Sequence, residues 1–299
     1  MQVIRNGCIK EKTAVALGNF DGLHKAHTAI IESCCKYAEE NGLKSGVLLF
    51  SEHPANVIGG DIKLITDNRS KLEILDSMGV DFAYIIDFDK DIMKLSPEEF
   101  ICMLKDTMNP VAVFTGYDYR FGYKAAGDTN LLRRLGDDMG FCVRVTDEID
   151  YNGIPIKSTQ IRELLEKGNV KMAAELLGRD FFVRGAVVSG FQNGSKIGFP
   201  TANIKYDKSI FLPKNGVYAG YTAVGGKCYK SVINVGNNPT FNADRVTVES
   251  HIIDFNRDIY GEEARVYFKD RIRDEKKFNS IDKLKAQIQK DVHSAERID

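Results

Sequence analysis

The texture of the chain changes once, near Arg179, and that change limits the folds open to it. Upstream, short apolar runs at 13–17, 46–50, 82–87, 111–115 and 141–145 alternate with stretches of helical spacing at 28–40, 68–77, 97–106 and 129–138. Runs that are apolar along their whole length suit strands buried on both faces, so the alternation predicts a parallel sheet covered by helices. In the third helical stretch, Ser96-Pro97-Glu98-Glu99 supplies an N-cap, a proline at the first helical position and acidic first-turn residues. Two shorter helices, 159–166 and 170–177, close this half, with Gly178 placed as a C-terminal cap. Downstream, the runs 182–189, 216–224, 229–235, 246–254 and 264–268 are β-rich and bounded by turn residues, the pattern of a small antiparallel barrel or sandwich. Ile281, Leu284, Ile288 and Val292 then recur at helical intervals behind Ser280, which predicts a terminal helix packed on that barrel. A chain of 299 residues exceeds the usual span of one hydrophobic core, and the reading is two domains, 1–179 and 180–299.

Charge and composition exclude several classes of function. With 41 basic against 42 acidic residues the chain has no global positive field for nucleic acid, so phosphate binding must come from local geometry. Met1-Gln2-Val3-Ile4-Arg5-Asn6 lacks the apolar core of a signal peptide and no apolar run approaches membrane-spanning length, which leads us to expect a cytoplasmic protein without a membrane partner. The six cysteines (Cys8, Cys34, Cys35, Cys102, Cys142 and Cys228) show no C-x-x-C spacing, which argues against a zinc ribbon or a dithiol redox site and for reduced thiols.

Two segments carry chemistry. In the first, the run 13–17 leads into Gly18-Asn19-Phe20-Asp21-Gly22-Leu23-His24-Lys25-Ala26-His27 and then a helix. Ligands of open α/β sheets bind beyond the carboxyl ends of strands, where a helix start also offers N–H groups and a positive dipole end. His24 and His27 are three apart and share one helical face, where they could donate to nucleotide phosphates and stabilise charge on a leaving pyrophosphate. A metal pair is the competing reading, without a nearby third ligand or an H-E-x-x-H pattern to support it. Neither G-x-G-x-x-G nor G-x-x-x-x-G-K-[ST] occurs, which argues against a dinucleotide-binding dehydrogenase and a P-loop kinase.

The second segment is Gly198-Phe199-Pro200-Thr201-Ala202-Asn203. Along an extended backbone Thr201 and Asn203 point to one face and offer the oxygen ligands that Mg²⁺ prefers; a strand opened by Pro200 and ending in a polar turn is the alternative. Upstream, a loop flanked by Gly194 and Gly198 could expose backbone N–H groups to phosphate. In Val246-Thr247-Val248-Glu249-Ser250-His251, alternation sends Glu249 away from Val246 and Val248, toward a polar pocket or solvent.

Residues 18–27 resemble the F-D-G-x-H-x-G-H motif of the nucleotidylyltransferase superfamily, specifically the adenylyltransferase module of prokaryotic bifunctional riboflavin kinase/FMN adenylyltransferases, or FAD synthetases. Leu49-Phe50-Ser51-Glu52-His53-Pro54, Leu95-Ser96-Pro97-Glu98-Glu99-Phe100, Gly116-Tyr117-Asp118-Tyr119-Arg120-Phe121-Gly122 and Ser158-Thr159-Gln160-Ile161-Arg162 match further motifs of that module in order. The second half resembles the riboflavin kinase module through Gly194-Ser195-Lys196-Ile197-Gly198-Phe199-Pro200-Thr201-Ala202-Asn203, Leu212-Pro213-Lys214-Asn215-Gly216, Asn234-Val235-Gly236-Asn237, Val248-Glu249-Ser250-His251 and Arg271-Ile272-Arg273-Asp274-Glu275. Departures are Ala26 for a glycine, Glu52 for a proline, Tyr119 for a phenylalanine, Lys157 for a serine, Ser189 for a frequent histidine and Ser195 for the usual arginine.

The resemblance implies a Rossmann-like nucleotidylyltransferase domain followed by a kinase barrel with a C-terminal helix. It assigns ATP phosphate contacts to His24 and His27, with Gly18, Phe20, Asp21, Ser158, Thr159 and Arg162 completing that nucleotide site. In the barrel it implies Gly194, Lys196 and Gly198 at the ATP phosphates, Thr201 and Asn203 at Mg²⁺, and Glu249 as the base. It places Asp118, Phe121 and Arg271 at flavin. The implied substrates are ATP, riboflavin and FMN, converted to FMN and then FAD. The alternatives are a chain retaining one of the two activities, or a flavin-binding regulator; a pure binder has no need of a base or metal ligands.

Overall fold

The computed structural model describes residues 1–189, 194, 197–237 and 246–298. The chain forms two compact units, Met1–Ser158 and Thr159–Asp299.

The first unit runs β1 (Gln2–Ile4), β2 (Thr13–Leu17), α1 (Lys25–Glu40), β3 (Lys44–Phe50), α2 (Pro54–Val57), α3 (Asn68–Ser77), β4 (Phe82–Ile86), α4 (Lys90–Lys94), α5 (Pro97–Met108), β5 (Pro110–Gly116), α6 (Thr129–Met139) and β6 (Cys142–Thr146), then a small hairpin of β7 (Asp150–Tyr151) and β8 (Ile154–Pro155). The sheet order is β1-β4-β3-β2-β5-β6, with every neighbouring pair parallel. Alternation along β2 builds both faces of the core: Ala14 and Ala16 join the cluster under α1 and α3, while Val15 and Leu17 join Ile101, Leu104 and Leu132 of α5 and α6. Burying each such Leu or Ile contributes about 1.5–3 kcal/mol. The predicted start of α5 is a complete capping box, in which Ser96 Oγ accepts from Glu99 N–H and Glu99 Oε2 from Ser96 N–H. Connections leave β2 toward β3 on one side, and β5 flanks it on the other. The carboxyl end of β2 is therefore a topological switch point, the place where an open parallel sheet leaves a crevice.

The second unit holds α7 (Ser158–Glu166, whose first residue belongs to the first unit) and α8 (Val170–Leu177). Strands β9 (Phe181–Val188), β10 (Ala202–Tyr206), β11 (Gly216–Val224), β12 (Lys227–Asn237), β13 (Val246–Ile252) and β14 (Glu263–Arg273) follow, and α9 (Ile281–Glu296) ends the described chain. The architecture is a barrel and not a sandwich: the antiparallel order β10-β13-β12-β11-β14-β9 closes on itself. Inside, Val248, Ile252, Ile233 and Val266 are buried, and the polar trio Thr222, Ser231 and Ser250 is satisfied by mutual hydroxyl bonds of 2.7 and 3.0 Å. Ser280 caps α9 through its side chain, as its position predicts. The helix is fastened to β14 by a buried ion pair, in which Arg273 donates from Nε and Nη2 to both oxygens of Asp291 at 2.7–3.1 Å.

The structure adds elements that the periodicity does not announce. β1 is an exposed three-residue edge strand with no apolar alternation. β10 follows directly on Pro200 and Thr201 and is outside the predicted strands. β14 continues five residues past 268 through charged positions, because Asp270, Arg271 and Arg273 still pair with β11.

Candidate functional site

The first site grows from the turn after β2. Phe20 and Leu23 take the left-handed backbone region, at φ 47° and 41°, and both side chains are buried. Gly18 lets the Phe20 ring pack close to the turn, since a Cβ there would stand 3.0 Å from it. Asp21, 2 % exposed, accepts from the N–H groups of Ile65 (3.0 Å) and Thr66 (3.4 Å), and its carbonyl accepts from Ser158 Oγ at 2.8 Å. The turn is thus held from two distant segments, and Phe20 and Asp21 serve its shape.

His24 is the N-cap of α1: its Nδ1 accepts the N–H of His27 at 3.3 Å, which leaves its proton on Nε2. The two imidazoles stack at 3.6 Å between centroids, 15° from parallel, and the edge of Phe20 meets His27 at 5.2 Å. Burial, then the neighbouring His24 and Lys71, hold the pKa of His27 well below 6.5, so the ring is neutral at pH 7. Its Nδ1 is buried without a hydrogen-bond partner among the described residues. A neutral imidazole pair at the start of a helix can serve developing negative charge as donor groups, without the desolvation cost of cations.

Thr159 and Arg162 lie on the first turn and a half of α7, Thr159 exposed and Arg162 partly so. Lys157, in the position of a family serine, lies over the Tyr117 ring, and hydrogen bonds with Tyr117 first and then Glu148, at 3.1 Å, raise its pKa. Asp118 is exposed just past β5, whereas Phe121 is buried, stacked on Tyr119 and packed near Phe100. Phe121 therefore belongs to the core.

The second site is a cavity of about 520 Å³ outside the barrel wall, roofed by α9. Its centre follows from strand register. Glu249 on β13 stands directly opposite Asn203 on β10 and opposite Asn234 on β12, so a carboxylate lies between two amides in one row. Alternation along β13 buries Val248 and Ser250 in the barrel and sends Glu249 and His251 outward to the cavity. Thr201 lines the cavity, two residues before Asn203. Burial first, and then the nearby Glu275, raise the pKa of Glu249 above 4.5. The Nδ1 atom of His251 bonds Pro200 O at 2.8 Å and the ring meets Phe199 edge-on, which clamps the backbone immediately before Thr201. Gly194 O accepts from Phe199 N–H at 2.9 Å, and a Cβ on Gly194 would lie 2.3 Å from Phe199 O. Gly198 is exposed at φ 89°, and Lys196 and Ser195 lie outside the described residues.

Arg271 does not line this cavity. Its Nη2 donates to Asn215 O (2.9 Å) and Asp274 (2.7 Å), and its guanidinium lies 5.9 Å from the Tyr218 ring centre. Arg273 and Asp291 line the cavity instead. Sequence reading also passes over Asn234 and His251 as site residues; the odd-numbered face that carries Glu249 was the signal for His251. Among the described residues no group of three His, Cys, Asp or Glu could hold a metal ion. The hydroxyl of Thr201 and the amide of Asn203 fit a hard cation only as part of a shell that a nucleotide's phosphates complete.

A parallel sheet with a donor-lined turn at its switch point, joined in one chain to a barrel with an outward carboxylate between amides, defines a two-domain nucleotide-dependent transferase. Residues 8–160 match the FAD synthetase family and residues 177–298 the riboflavin kinase family. The chain belongs to the family of bifunctional riboflavin kinase/FMN adenylyltransferases and is an enzyme with one domain of each kind. Proteins of that description from Bacillus subtilis (35% identical, 96% of this chain and 92% of the relative), Listeria monocytogenes (36%, 93% and 89%) and Escherichia coli K12 (34%, 97% and 92%) are similar along nearly their whole length. A crystal structure described as a macrolide-efflux protein from Streptococcus pneumoniae shares the fold at a TM-score of 0.92 and 31% identity, covering all of both chains. In the present chain no helix among the described residues is long and apolar enough to cross a membrane.

Proposed function

We propose that the two domains act in sequence. The barrel transfers the γ-phosphoryl of ATP to the ribityl 5′-hydroxyl of riboflavin, giving FMN. The parallel-sheet domain then joins FMN to AMP: an oxygen of the FMN phosphate bonds the α-phosphorus of ATP, the bond to the bridging oxygen breaks, and pyrophosphate leaves. The observation that carries the reading is Glu249 lining the cavity beside Asn234, with Asn203 as its register partner on β10 although Asn203 is not itself a lining residue. There Glu249 takes the proton of the attacking hydroxyl, and its raised pKa brings it closer to the working pH of a general base. Thr201 and Asn203 hold Mg²⁺, which supplies charge neutralisation to the transferring phosphoryl group. Gly194 and Gly198 bind the phosphates; Lys196, assigned there by the resemblance, lies outside the described residues.

In the adenylyl step the FMN phosphate is already a nucleophile, so the work is positioning and charge stabilisation. His24 and His27 serve the departing pyrophosphate, and Ser158, Thr159 and Arg162 grip the triphosphate. Asp118, exposed at the end of β5, contacts the flavin substrate. The functional division falls at 179, after the Ser158–Arg162 motif, and the enzyme works in the cytosol on small molecules alone.

The test is to incubate the purified protein with riboflavin, ATP and Mg²⁺, then with FMN and ATP, and to separate the flavins. FMN and FAD are expected in turn. FMN without FAD, or FAD only from supplied FMN, reduces the chain to a single activity, and neither product leaves a flavin-binding regulator.

A further inference from the structure

One buried cation of the first domain has no part in the chemistry above. Lys71, on the first turn of α3, is only 5 % exposed, and its Nζ donates to Asn19 O of the histidine turn over a long 3.4 Å. An ammonium carries three donors, and burying it is costly unless opposite charge or further acceptors compensate. The neighbouring carboxylates have other work. Asp21 accepts from Ile65 and Thr66, and Asp67, the N-cap of α3, accepts from Ser70 N–H at 2.8 Å and Ser70 Oγ at 2.6 Å. Lys71 itself forms no ion pair among the described residues. Lys71 is near enough to His27, whose Nδ1 is orphaned, to oppose its protonation. Burial lowers the pKa of Lys71 while Asp21 and Asp67 oppose that shift, and Lys71 in turn lowers the pKa of His27. Unspent donor capacity and positive potential are thus concentrated under one turn at the switch point. An anion there would satisfy Lys71.

We propose that Lys71 is a phosphate-binding residue of the adenylyl-transfer site, its ammonium exchanging Asn19 O for an oxygen of the nucleotide's phosphate chain. The assignment rests on the adenylyltransferase reading of this domain. It accounts for a lysine kept beneath the turn, where a brace for Asn19 O alone would need only a neutral donor.

The test uses the full-length chain carrying Lys71→Met, Lys71→Gln or Lys71→Arg, with FAD formation from supplied FMN followed against ATP concentration. Urea denaturation of the same preparations reports on folding of the first domain, and riboflavin phosphorylation on that of the second. Lys71→Met and Lys71→Gln should both lower kcat/KM for ATP on the order of 10²-fold, with KM for ATP raised. Lys71→Arg should recover most of that loss, and phosphorylation should be unchanged in all three. Wild-type FAD formation in Lys71→Met, recovery in Lys71→Gln equal to that in Lys71→Arg, or equal loss in all three overturns the proposal. A wild-type chain that forms no FAD removes the adenylyltransferase reading itself, a result distinct from each of these.

Discussion

The imidazole of His27 lies flat against that of His24, 3.6 Å between ring centres. Two protonated rings at that distance would repel strongly, and burial adds to the cost of charging either one. The pKa of His27 in the folded chain is therefore below its ordinary value of 6.5. Between those two values the unfolded chain binds the extra proton. Stability from this group is complete above about pH 6.5 and is lost as the pH falls toward the folded-state value. Urea denaturation at about pH 7.5 and about pH 5.5 should show the first domain weaker at the lower pH, and His27→Gln should remove part of the difference.

Glu249→Gln keeps the shape of the row between Asn203 and Asn234 but removes the proton acceptor. FMN formation should fall by roughly 10²-fold or more. FAD formation from supplied FMN should be unchanged when the two products are measured separately.

Asp291 is 1 % exposed and meets the Arg273 guanidinium with both oxygens. Asp291→Ala would leave that largely buried guanidinium without its carboxylate, bonded among the described residues only to Asp274 O, and would release α9 from β14. The second domain should lose about 3–5 kcal/mol of unfolding free energy, read from denaturant curves, and the chain should lose riboflavin phosphorylation with it.

His251→Ala removes the tie to Pro200 O and frees the backbone that presents Thr201. One hydrogen bond of about 1 kcal/mol corresponds to about a fivefold change. The Mg²⁺ concentration for half-maximal FMN formation should rise by that order, while FAD formation from FMN should keep its rate.

The sequence carried the central strands of the parallel sheet well because β2, β3, β4 and β5 are largely apolar on both faces; β2 is buried at all five positions. It carried the helix starts where a cap is local, as at Ser96 and Ser280. It missed β1 and the end of β14, where pairing with a neighbour, and not composition, makes the strand. The same limit applies to the sites. Glu249 is legible because alternation along β13 fixes its face, whereas Thr201 reaches the cavity from just before β10. Asn234 becomes visible only through inter-strand register, and Lys71 only when α3 comes to lie under a turn 52 residues away. Phe20, Phe121 and Arg271 show the converse: motif residues whose side chains pack the scaffold around a site.

The closed barrel leaves each of its six strands with a partner on both sides. Among the described residues no strand of the barrel is an edge strand, the position onto which a stray strand from another molecule could add. The riboflavin kinase domain is thereby guarded against edge-to-edge aggregation by topology itself, and its surface residues are released from that task.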